Sequence, residues 1–383
     1  MRRNIREGLN NYLVEGEHYQ LLEGYDFFCM DGFTDSIMLR NAVYPGTGDP
    51  LRDAMTNKRL YFAGCNEVES LERTVEEAAG GTPSGYARYW HGYLVLLKPL
   101  LLIFSLSGIR MINMMVQLLL AAIALVLAYH RGGARLAIPL GFTILCLNPI
   151  SISLSLQLSD VYLLMLSFAI ALMGMKTYEK EMGWMLYLWL GILTAFFDFL
   201  TYPVMALGVI LLIEQMLTGE NQKERFRRIL FHSFVWLFGY GGMWAGKWVM
   251  ASILTDGNVI ANAIGAVENR TSSIVGEKQV NVFQVIWHNV RLYLNPAMLV
   301  TVIAAAALLL YCLKKRDAKL CINKEQMLPI IFIGLYPYAW YCVLKNHAIV
   351  HPFLEHKNIA ISVMALGCII GSALHIPEDK KVR

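Results

Sequence analysis

Residues 111–135, MINMMVQLLLAAIALVLAYHRGGAR, contain the pattern that decides the fold: a long apolar run that ends in two arginines. A helix of about 20 apolar residues crosses the hydrocarbon core of a bilayer, and short loops rich in lysine and arginine stay on the cytoplasmic side. Apolar sequence separates five such basic clusters, so we expect an even number of spans between each cluster and the next. The clusters are Arg131/Arg135, Lys176/Lys180, Lys223/Arg225/Arg227/Arg228, Lys314/Lys315/Arg316/Lys319 and Lys380/Lys381/Arg383.

The composition is that of an integral membrane protein. Hydrophobic residues make up 56% of the 383-residue chain and charged residues 16%, whereas a soluble domain carries about 25% charged residues. Residues 1–90 differ from the rest, because they hold nine Lys/Arg and fourteen Asp/Glu and no apolar run of spanning length. The formal net charge of +4 therefore combines an acidic N-terminal region with basic loops, which indicates membrane orientation and argues against nucleic-acid binding.

These patterns predict an all-α membrane protein, a polytopic helix bundle of about nine spans that follows an α-rich extracytoplasmic region at residues 1–90. An interfacial helix is expected over residues 86–107, because Lys98-Pro99 divides its apolar part into halves too short to cross a core of about 30 Å. The bundle then occupies residues 109–376. The expected spans are roughly residues 109–129, 136–153, 157–175, 183–199, 202–219, 229–252, 291–313, 328–345 and 358–376.

This orientation predicts a multi-pass protein of the plasma membrane, with residues 1–90 outside and the tail at residues 377–383 in the cytoplasm. An outer region of this size normally follows a preceding span. Two explanations stay open: an upstream span is missing from this chain, or residues 93–107 do cross and residues 1–90 are cytoplasmic. The acidic composition of residues 1–90 and the interruption at Lys98 favour the missing span.

Acidic side chains occur in both parts of the chain. The stretch YDFFCMDGFTDSIMLRNAV (residues 25–43) contains Asp26, Asp31 and Asp35, the last two on either side of a Gly-Phe-Thr turn. Such carboxylates can bind a metal or act as a general base, or they are turn residues, with Asp35 or Ser36 as the N-cap of the next helix. No known catalytic or nucleotide-binding motif accompanies them.

Asp160 and Asp198 fall at the outer ends of predicted spans, where ionisable groups are costly and tend to mark a cavity or a partner. Asp198 lies in the hairpin tip FFDFLTYP (residues 196–203). Both aspartates are alternatively explained as helix caps, an interpretation that is stronger for Asp160.

Basic candidates lie at the same predicted outer ends: Arg110, Lys247 and the residues of NHAIVHPFLEHK (346–357). Two of its histidines, His347 and His351, are four residues apart, which places them on one face of a helix where they could hold a metal or a phosphate group. The alternative interpretations are that the histidines are solvated in a loop and that Lys247 extends to the lipid headgroups.

With these features the chain resembles the GT-C superfamily of membrane glycosyltransferases, in its layout and in the segments YARYWHGYLVLLKPLL (86–101), FFDFLTYP (196–203) and NHAIVHPFLEHK (346–357). Such enzymes have many spans, a large first external loop with interfacial helices, and an active site at the outer membrane face. The resemblance implies that a sugar passes from a polyprenyl-phosphate carrier in the bilayer to a glycan or lipid acceptor of the cell envelope. The family's catalytic aspartate typically follows a first span that is absent here.

The resemblance also implies roles for individual residues. A carboxylate would act as general base for the acceptor hydroxyl, and cations would hold the carrier phosphate, because an anionic leaving group needs fixed positive charge. The catalytic candidates are Asp26, Asp31, Asp35 and Asp198. The substrate-binding candidates are Arg110, Lys247, His347, His351 and Lys357. The cofactor stays open, with a divalent metal as one possibility.

Two other functions compete with glycosyl transfer. A transporter or flippase for a polar or lipid-linked substrate would place ionisable residues near the bilayer midplane and break its helices there. The charges lie at the outer ends of the spans, which favours an enzyme, whereas the possible helix break at Asn148-Pro149 favours transport. A non-catalytic scaffold for envelope assembly is the third hypothesis.

Overall fold

The structure is a computed structural model that describes residues 1–9, 16–175, 183–315, 319–320 and 323–375. Helices form 75% of it, so the predicted all-α class is confirmed. The helices are α1 Arg2–Arg6, α2 Gly32–Val43, α3 Pro50–Thr56, α4 Glu67–Val75, α5 Leu94–Ile103, α6 Leu106–Gly132, α7 Ala134–Cys146, α8 Pro149–Leu154, α9 Leu156–Gly174, α10 Gly183–Phe197, α11 Pro203–Leu217, α12 Gln222–Leu254, α13 Val259–Thr271, α14 Val282–Val290, α15 Pro296–Lys315, α16 Lys324–Gly334, α17 Tyr336–Val343, α18 Lys345–Val350, α19 Pro352–Glu355 and α20 Ala360–Ala373.

Short antiparallel strand pairs occur in some of the segments that connect the helices. The pairs are β1 His18–Gln20 with β2 Cys29–Asp31, β3 Arg59–Tyr61 with β4 Thr82–Ser84, β5 Ile274–Val275 with β6 Lys278–Gln279, and β7 Lys319–Leu320 with β8 Leu374–His375. Two of these pairs, β1–β2 and β3–β4, belong to the N-terminal region, which therefore mixes helices α1–α4 with small sheets.

The apolar helices indicate a membrane protein. In the part of the chain that the structure describes, four helical segments are long and apolar enough to cross a membrane, or five if one sharply bent pair of helices counts as a single span. The four are Leu106–Gly132, Leu156–Gly174, Lys324–Val343 and Pro352–Ala373, and the bent pair is Val282–Tyr293 with Met298–Ala307. Nine spans are not confirmed, because several predicted spans fall on helices of 10–17 residues such as α7, α10 and α11.

The second predicted span is interrupted where the sequence suggested. Helix α7 ends at Cys146, and Asn148 adopts a left-handed conformation with φ of 56°. The Asn148 side chain caps α8, and Pro149 occupies its first position, where a missing N–H costs nothing. A second break follows at Ser155, whose hydroxyl caps α9. The Asn148 cap thus divides the predicted span 136–153, and the Ser155 cap lies in the predicted connection to the next span.

The interfacial helix predicted for residues 86–107 is shorter in the structure. Helix α5 covers only Leu94–Ile103 and continues through Pro99, while residues 86–93 contain no helix. The chain breaks at Phe104 instead, and Ser105 caps the long α6 that follows.

Sequence reasoning placed the N-cap of α2 wrongly. Asp31, not Asp35 or Ser36, caps the helix by accepting a hydrogen bond from the Thr34 N–H. The supposed Gly-Phe-Thr turn is the first helical turn, so Asp35 lies inside the helix and its carboxylate points away from the helix's own N–H groups.

The N-terminal region packs against one end of the bundle, and the described basic clusters lie at the other. Helix α12 has 33 residues and is about 50 Å long. Arg225, in its first turn, donates to the Gln215 carbonyl at the end of α11, at 2.7 Å. Lys247, six turns further on, contacts α3 of the N-terminal region. We call the end near Lys247 the acidic end and the end near Arg225 the basic end.

Helices α10 and α12 cross very closely, because each has a glycine at the contact. A Cβ atom on Gly191 would collide with the Trp236 carbonyl oxygen, and one on Gly239 would lie 2.6 Å from the Leu188 carbonyl oxygen. Small residues allow backbones to approach in this way in membrane helix pairs. The close approach fixes the hairpin that carries Asp198 at its tip relative to α12.

The substitution Gly191→Ala should therefore destabilise the protein by about 1–3 kcal/mol, since the methyl group forces the two backbones apart. The matched control is Gly246→Ala in α12, where an added Cβ meets nothing within 4 Å. That change should be neutral or stabilise by about 0.5–1 kcal/mol, because alanine has less freedom to lose in a helix. Thermal unfolding in detergent, followed by circular dichroism, measures both. Equal melting temperatures for the two variants would contradict the close crossing.

Candidate functional site

Most of the side chains proposed from sequence lie at the acidic end, between the N-terminal region and the bundle. The start of α2, the start of α9, the α10–α11 hairpin tip and the α18–α19 segment meet there. The tip of the hairpin is central: Asp198 contacts Gln157 of α9, and the Leu200 carbonyl contacts His347 of α18. The sequence-predicted clustering is therefore present, although the partners of each residue differ from those expected.

Asp35 binds the N-terminus of α9, more than 100 residues away in sequence. Its carboxylate accepts hydrogen bonds from the Leu156 and Gln157 N–H groups, each at 3.0 Å, and from the Ser155 hydroxyl at 3.2 Å. Arg110 Nη2 lies 4.0 Å from the same carboxylate. Asp35 is 1% exposed. It therefore joins the N-terminal region to the bundle, and Arg110 balances its charge.

Asp198 organises the hairpin tip. Its carboxylate accepts hydrogen bonds from the Leu200 and Thr201 N–H groups at 2.9 and 3.0 Å and from the Thr201 hydroxyl. Gln157 Nε2 donates to it at 3.4 Å. Burial raises the pKa of Asp198 to about 6, against the lowering effect of these donors. Asp198 therefore stabilises the turn and does not cap α11, whose N-cap is Tyr202 without a side-chain hydrogen bond, so the capping interpretation is wrong.

Asp160 lies one turn beyond Gln157 and is not a helix cap, because Ser155 caps α9. Its Oδ2 atom is buried without a hydrogen-bond partner. Asp160 is close enough to Tyr93 that its charge, together with burial, raises the pKa of the tyrosine hydroxyl. A buried carboxylate oxygen without a donor is rare and marks strain, a missing water or a functional group. Sequence analysis named this residue but preferred the capping role.

Asp31 and Lys357 are both 1% exposed, and both are near enough to the buried Cys29 thiol for their charges to act on it. One oxygen of Asp31 caps α2, while Oδ2 has no hydrogen-bond partner, and burial raises the pKa of the carboxyl to about 7. The Lys357 ammonium donates to the Phe353 carbonyl at 3.1 Å. The remaining N-terminal candidate, Asp26, is exposed and accepts from Gln20 Nε2 at 2.5 Å.

His347 and His351 lie close together, with ring centroids 4.8 Å apart. His347 is buried and His351 is half-buried, so neither is solvated as loop histidines usually are. His347 Nε2 donates to the Leu200 carbonyl at 2.8 Å. Burial, aided by the charge of Arg270, lowers the pKa of His347 to about 3 and that of His351 to about 4. Both imidazoles are therefore uncharged at neutral pH.

Glu355 is a buried carboxylate that sequence analysis missed. It accepts hydrogen bonds from Trp340 Nε1 at 3.1 Å and from Asn358 Nδ2 at 2.8 Å, and it lies 3.5 Å from His347 Nε2. The same Asn358 accepts from the Met205 N–H at the start of α11. The only signal was a glutamate inside the histidine-rich stretch. No group of three or more His, Cys, Asp or Glu residues suited to a metal ion occurs within the described residues.

Lys247 holds the N-terminal region to α12. Its ammonium donates to the Ala54 and Met55 carbonyls at the C-terminus of α3, at 2.8 and 3.2 Å, and lies 5.4 Å from the centre of the Trp90 ring. The side chain is 0% exposed, so the interpretation that it extends to lipid headgroups is wrong. A cation at a helix C-terminus satisfies carbonyls that have no partner in the helix.

An open cavity of about 400 Å³ lies beside this cluster, on α13. Two arginines, Arg88 and Arg270, line it. Their guanidinium groups lie over tyrosine rings, at 5.3 Å for Arg88 over Tyr86 and 5.9 Å for Arg270 over Tyr89. Sequence analysis assigned YARYW (86–90) only to the interfacial helix, although an arginine beside aromatic residues is a signal for cation–π contacts.

No protein-family model, curated protein or solved structure matches this chain. The function is therefore argued from the residues of the acidic end alone.

The raised pKa of Asp31 predicts a pH-dependent stability that Asp31→Asn removes. The folded state holds its proton up to about pH 7, whereas an unfolded aspartate releases it near its ordinary pKa of 3.8. Wild-type stability should therefore fall as pH rises from about 4 to 7, by an amount on the order of 2–4 kcal/mol from this group. Asparagine keeps the cap and carries no charge.

The melting temperature of Asp31→Asn minus that of the wild type should rise between pH 4.5 and 7.5, as measured by tryptophan fluorescence in detergent. Taking the difference cancels the contributions of other titrating groups. The exposed Asp26→Asn is the matched control and should stay within about 0.5 kcal/mol of the wild type. A difference that is constant with pH would exclude the raised pKa.

Proposed function

We propose that the protein is a membrane glycosyltransferase, which transfers a sugar from a polyprenyl-phosphate carrier to a glycan or lipid of the cell envelope at the outer membrane face. The observation that carries the proposal is the buried carboxylate group of the acidic end, in which Asp160 keeps one oxygen free of donors. Asp35 and Asp198 surround it and are fully occupied by hydrogen bonds.

The proposal includes the predicted orientation, with about nine spans, residues 1–90 outside and the basic end in the cytoplasm. Its support is the separation of charge along the bundle. The N-terminal region contacts α12 at Lys247, and the α12 basic cluster around Arg225 lies about 33 Å away along that helix. Helices that are too short to span the bilayer alone, such as α10, would then cross it together with their connecting segments.

In this proposal Asp160 is the general base. The acceptor hydroxyl gives its proton to Asp160 Oδ2, its oxygen forms the new bond to the sugar carbon, and the bond from that carbon to the phosphate oxygen breaks. The carrier phosphate leaves with the electron pair. Asp160 Oδ2 is buried and free of donors, as is Oδ2 of Asp31, but the other oxygen of Asp31 caps α2. We therefore assign the base to Asp160 ahead of the other four aspartates. Those four are Asp26, Asp31, Asp35 and Asp198.

The cations proposed from sequence are engaged elsewhere in this structure. Arg110 faces Asp35, while Lys247 and Lys357 donate to backbone carbonyls. The two histidines are uncharged at neutral pH because burial lowers their pKa values. Positive charge for the leaving phosphate must then come from a neighbouring group, and Arg270 acts on both histidines.

A transporter or flippase is the second proposal, and the broken helix supports it. The break at Ser155 lies beside a polar group inside the bundle, where Asn113 Nδ2 and Gln117 Nε2 donate to the Ser159 hydroxyl at 2.6 and 2.9 Å. The Gln117 Oε1 atom is buried without a partner. Interrupted helices with polar interiors are typical of transport sites.

Asp160→Asn separates the two proposals. The variant keeps the shape of the side chain but cannot accept a proton, so glycosyl transfer should fall about a hundredfold or more while protein levels in the membrane stay normal. The measurement is incorporation of radiolabelled sugar into envelope glycan by membranes supplied with polyprenyl-phosphate-linked sugar. Asp26→Asn is the control and should retain activity. Wild-type membranes that transfer no sugar, but move the lipid-linked sugar across the bilayer, would reject the enzyme and favour the flippase.

The orientation is tested by cysteine labelling. In a cysteine-free background, Glu69→Cys at the acidic end should react with a membrane-impermeant maleimide in intact cells, since Glu69 is exposed. Lys223→Cys, an exposed position at the basic end, should react only after the membrane is permeabilised. The reverse pattern would place the acidic end in the cytoplasm and remove the basis for transfer at the outer face.

A further inference from the structure

The cavity on α13 has the shape and charge of an anion site. It is open to the surface, has a volume of about 400 Å³ and is lined by seven residues of two segments. They are Arg88, Ala261, Asn262, Gly265, Ala266, Asn269 and Arg270. None of these seven is acidic, so the two arginines give the cavity a net positive charge. Arginine binds phosphate through two parallel N–H groups, which makes phosphate the matching ligand.

Arg88 is held in place by hydrogen bonds to the rest of the protein. Arg88 Nη1 donates to Asn262 Oδ1 at 2.7 Å, which orients the guanidinium, and Arg88 Nε is buried without a partner. Trp248 Nε1 donates to the Arg88 carbonyl at 3.1 Å and fixes the backbone. A third guanidinium, that of Arg59, also lies 5.3 Å from the centre of the Tyr86 ring, but it pairs with Glu67 at 3.7 Å and does not line the cavity.

The opposite face of α13 is apolar and exposed. Ile260, Ile264 and Val267 follow one another at helical spacing and are each more than one third exposed. The neighbouring α14 exposes Phe283 and Trp287, which are 83% and 59% exposed and four residues apart. Amphipathic helices with aliphatic and aromatic residues on one face lie in the membrane interface.

The cavity and the apolar face together specify an amphiphilic ligand. With Ile260, Ile264 and Val267 in the lipid, the cavity on the other face of α13 lies at the depth of the headgroups. α12 also exposes Val249 and Ile253 next to this surface, since the hydroxyl of the intervening Ser252 accepts a hydrogen bond from the Ile260 N–H at 3.1 Å. A lipid can therefore enter the cavity headgroup first, from the side, while its chains stay in the bilayer.

We propose that this cavity binds the phosphate headgroup of an anionic membrane lipid, with Arg88 and Arg270 as its ligands. Binding itself does not require glycosyl transfer. Only one consequence rests on the proposed function, namely that the lipid bound here supplies the phosphate beside His347 and His351.

Two variants test the site by different means. Arg270→Gln removes one charge. Gly265→Leu fills the cavity without a clash, since an added Cβ at Gly265 meets nothing within 4 Å. The matched control is Arg52→Gln, which removes an arginine at the same end that pairs with Asp256 and does not line the cavity.

Purified protein in an uncharged detergent is titrated by calorimetry with dihexanoyl phosphatidate, with dihexanoylglycerol, which lacks the phosphate, and with inorganic phosphate. Phosphatidate should bind, and both cavity variants should weaken it about tenfold or more while the control binds as the wild type does. Dihexanoylglycerol should not bind measurably.

The proposal is overturned if Arg270→Gln and Gly265→Leu leave phosphatidate affinity unchanged, or if inorganic phosphate binds as tightly as phosphatidate, which would make this a site for a free anion. Circular dichroism before titration confirms that each variant is folded. If Arg270→Gln is not folded, the phosphatidate affinity of Gly265→Leu alone tests the site. Binding is scored without any sugar, so an inactive wild type with intact phosphatidate binding would reject glycosyl transfer and keep the lipid site.

Discussion

The rest of the structure depends on the hydrogen bonds between Asp35 and the N-terminus of α9. A helix N-terminus carries unpaired N–H groups and partial positive charge, and a carboxylate satisfies both. Here the carboxylate comes from the N-terminal region, so the cap of α9 and the docking of that region are one interaction. Lys247 has the opposite role, because its ammonium donates to a carbonyl at the C-terminus of α3. Two buried charges of opposite sign thus hold the N-terminal region to the bundle.

Charges buried for this purpose are not available for a ligand. Moving an ion out of water costs several kcal/mol unless hydrogen bonds replace its hydration, and Asp35, Asp198 and Lys247 have those bonds. Asp160 and Asp31 each retain one carboxylate oxygen that accepts no hydrogen bond. The distinction separates groups that maintain the fold from groups that can still take part in chemistry, and it is visible only when the partner of each oxygen is known.

The sequence predicted what depends on composition and short-range pattern. The helical class, the break at Asn148-Pro149 and the meeting of the candidate residues at one end all follow from apolar length, turn residues and basic loops. It did not predict partners that are distant in the chain. Nothing near Lys247 shows that α3 lies against it, and nothing near Asp35 indicates α9. Glu355 and Arg270 were missed for the same reason, because their importance comes from neighbours on other segments.

The same distinction between bonded and unbonded charges explains why the positive charge that can bind a ligand lies at the surface. Inside the acidic end Arg110 faces Asp35, and Lys247 donates to backbone carbonyls. A phosphate brought into that interior would face Asp198 and Glu355 as well as the uncharged histidines. On α13, by contrast, the two arginines lie over tyrosine rings with no carboxylate among the residues that line the cavity. An anion is therefore held at the edge of the acidic end, while a free carboxylate oxygen lies deeper within it.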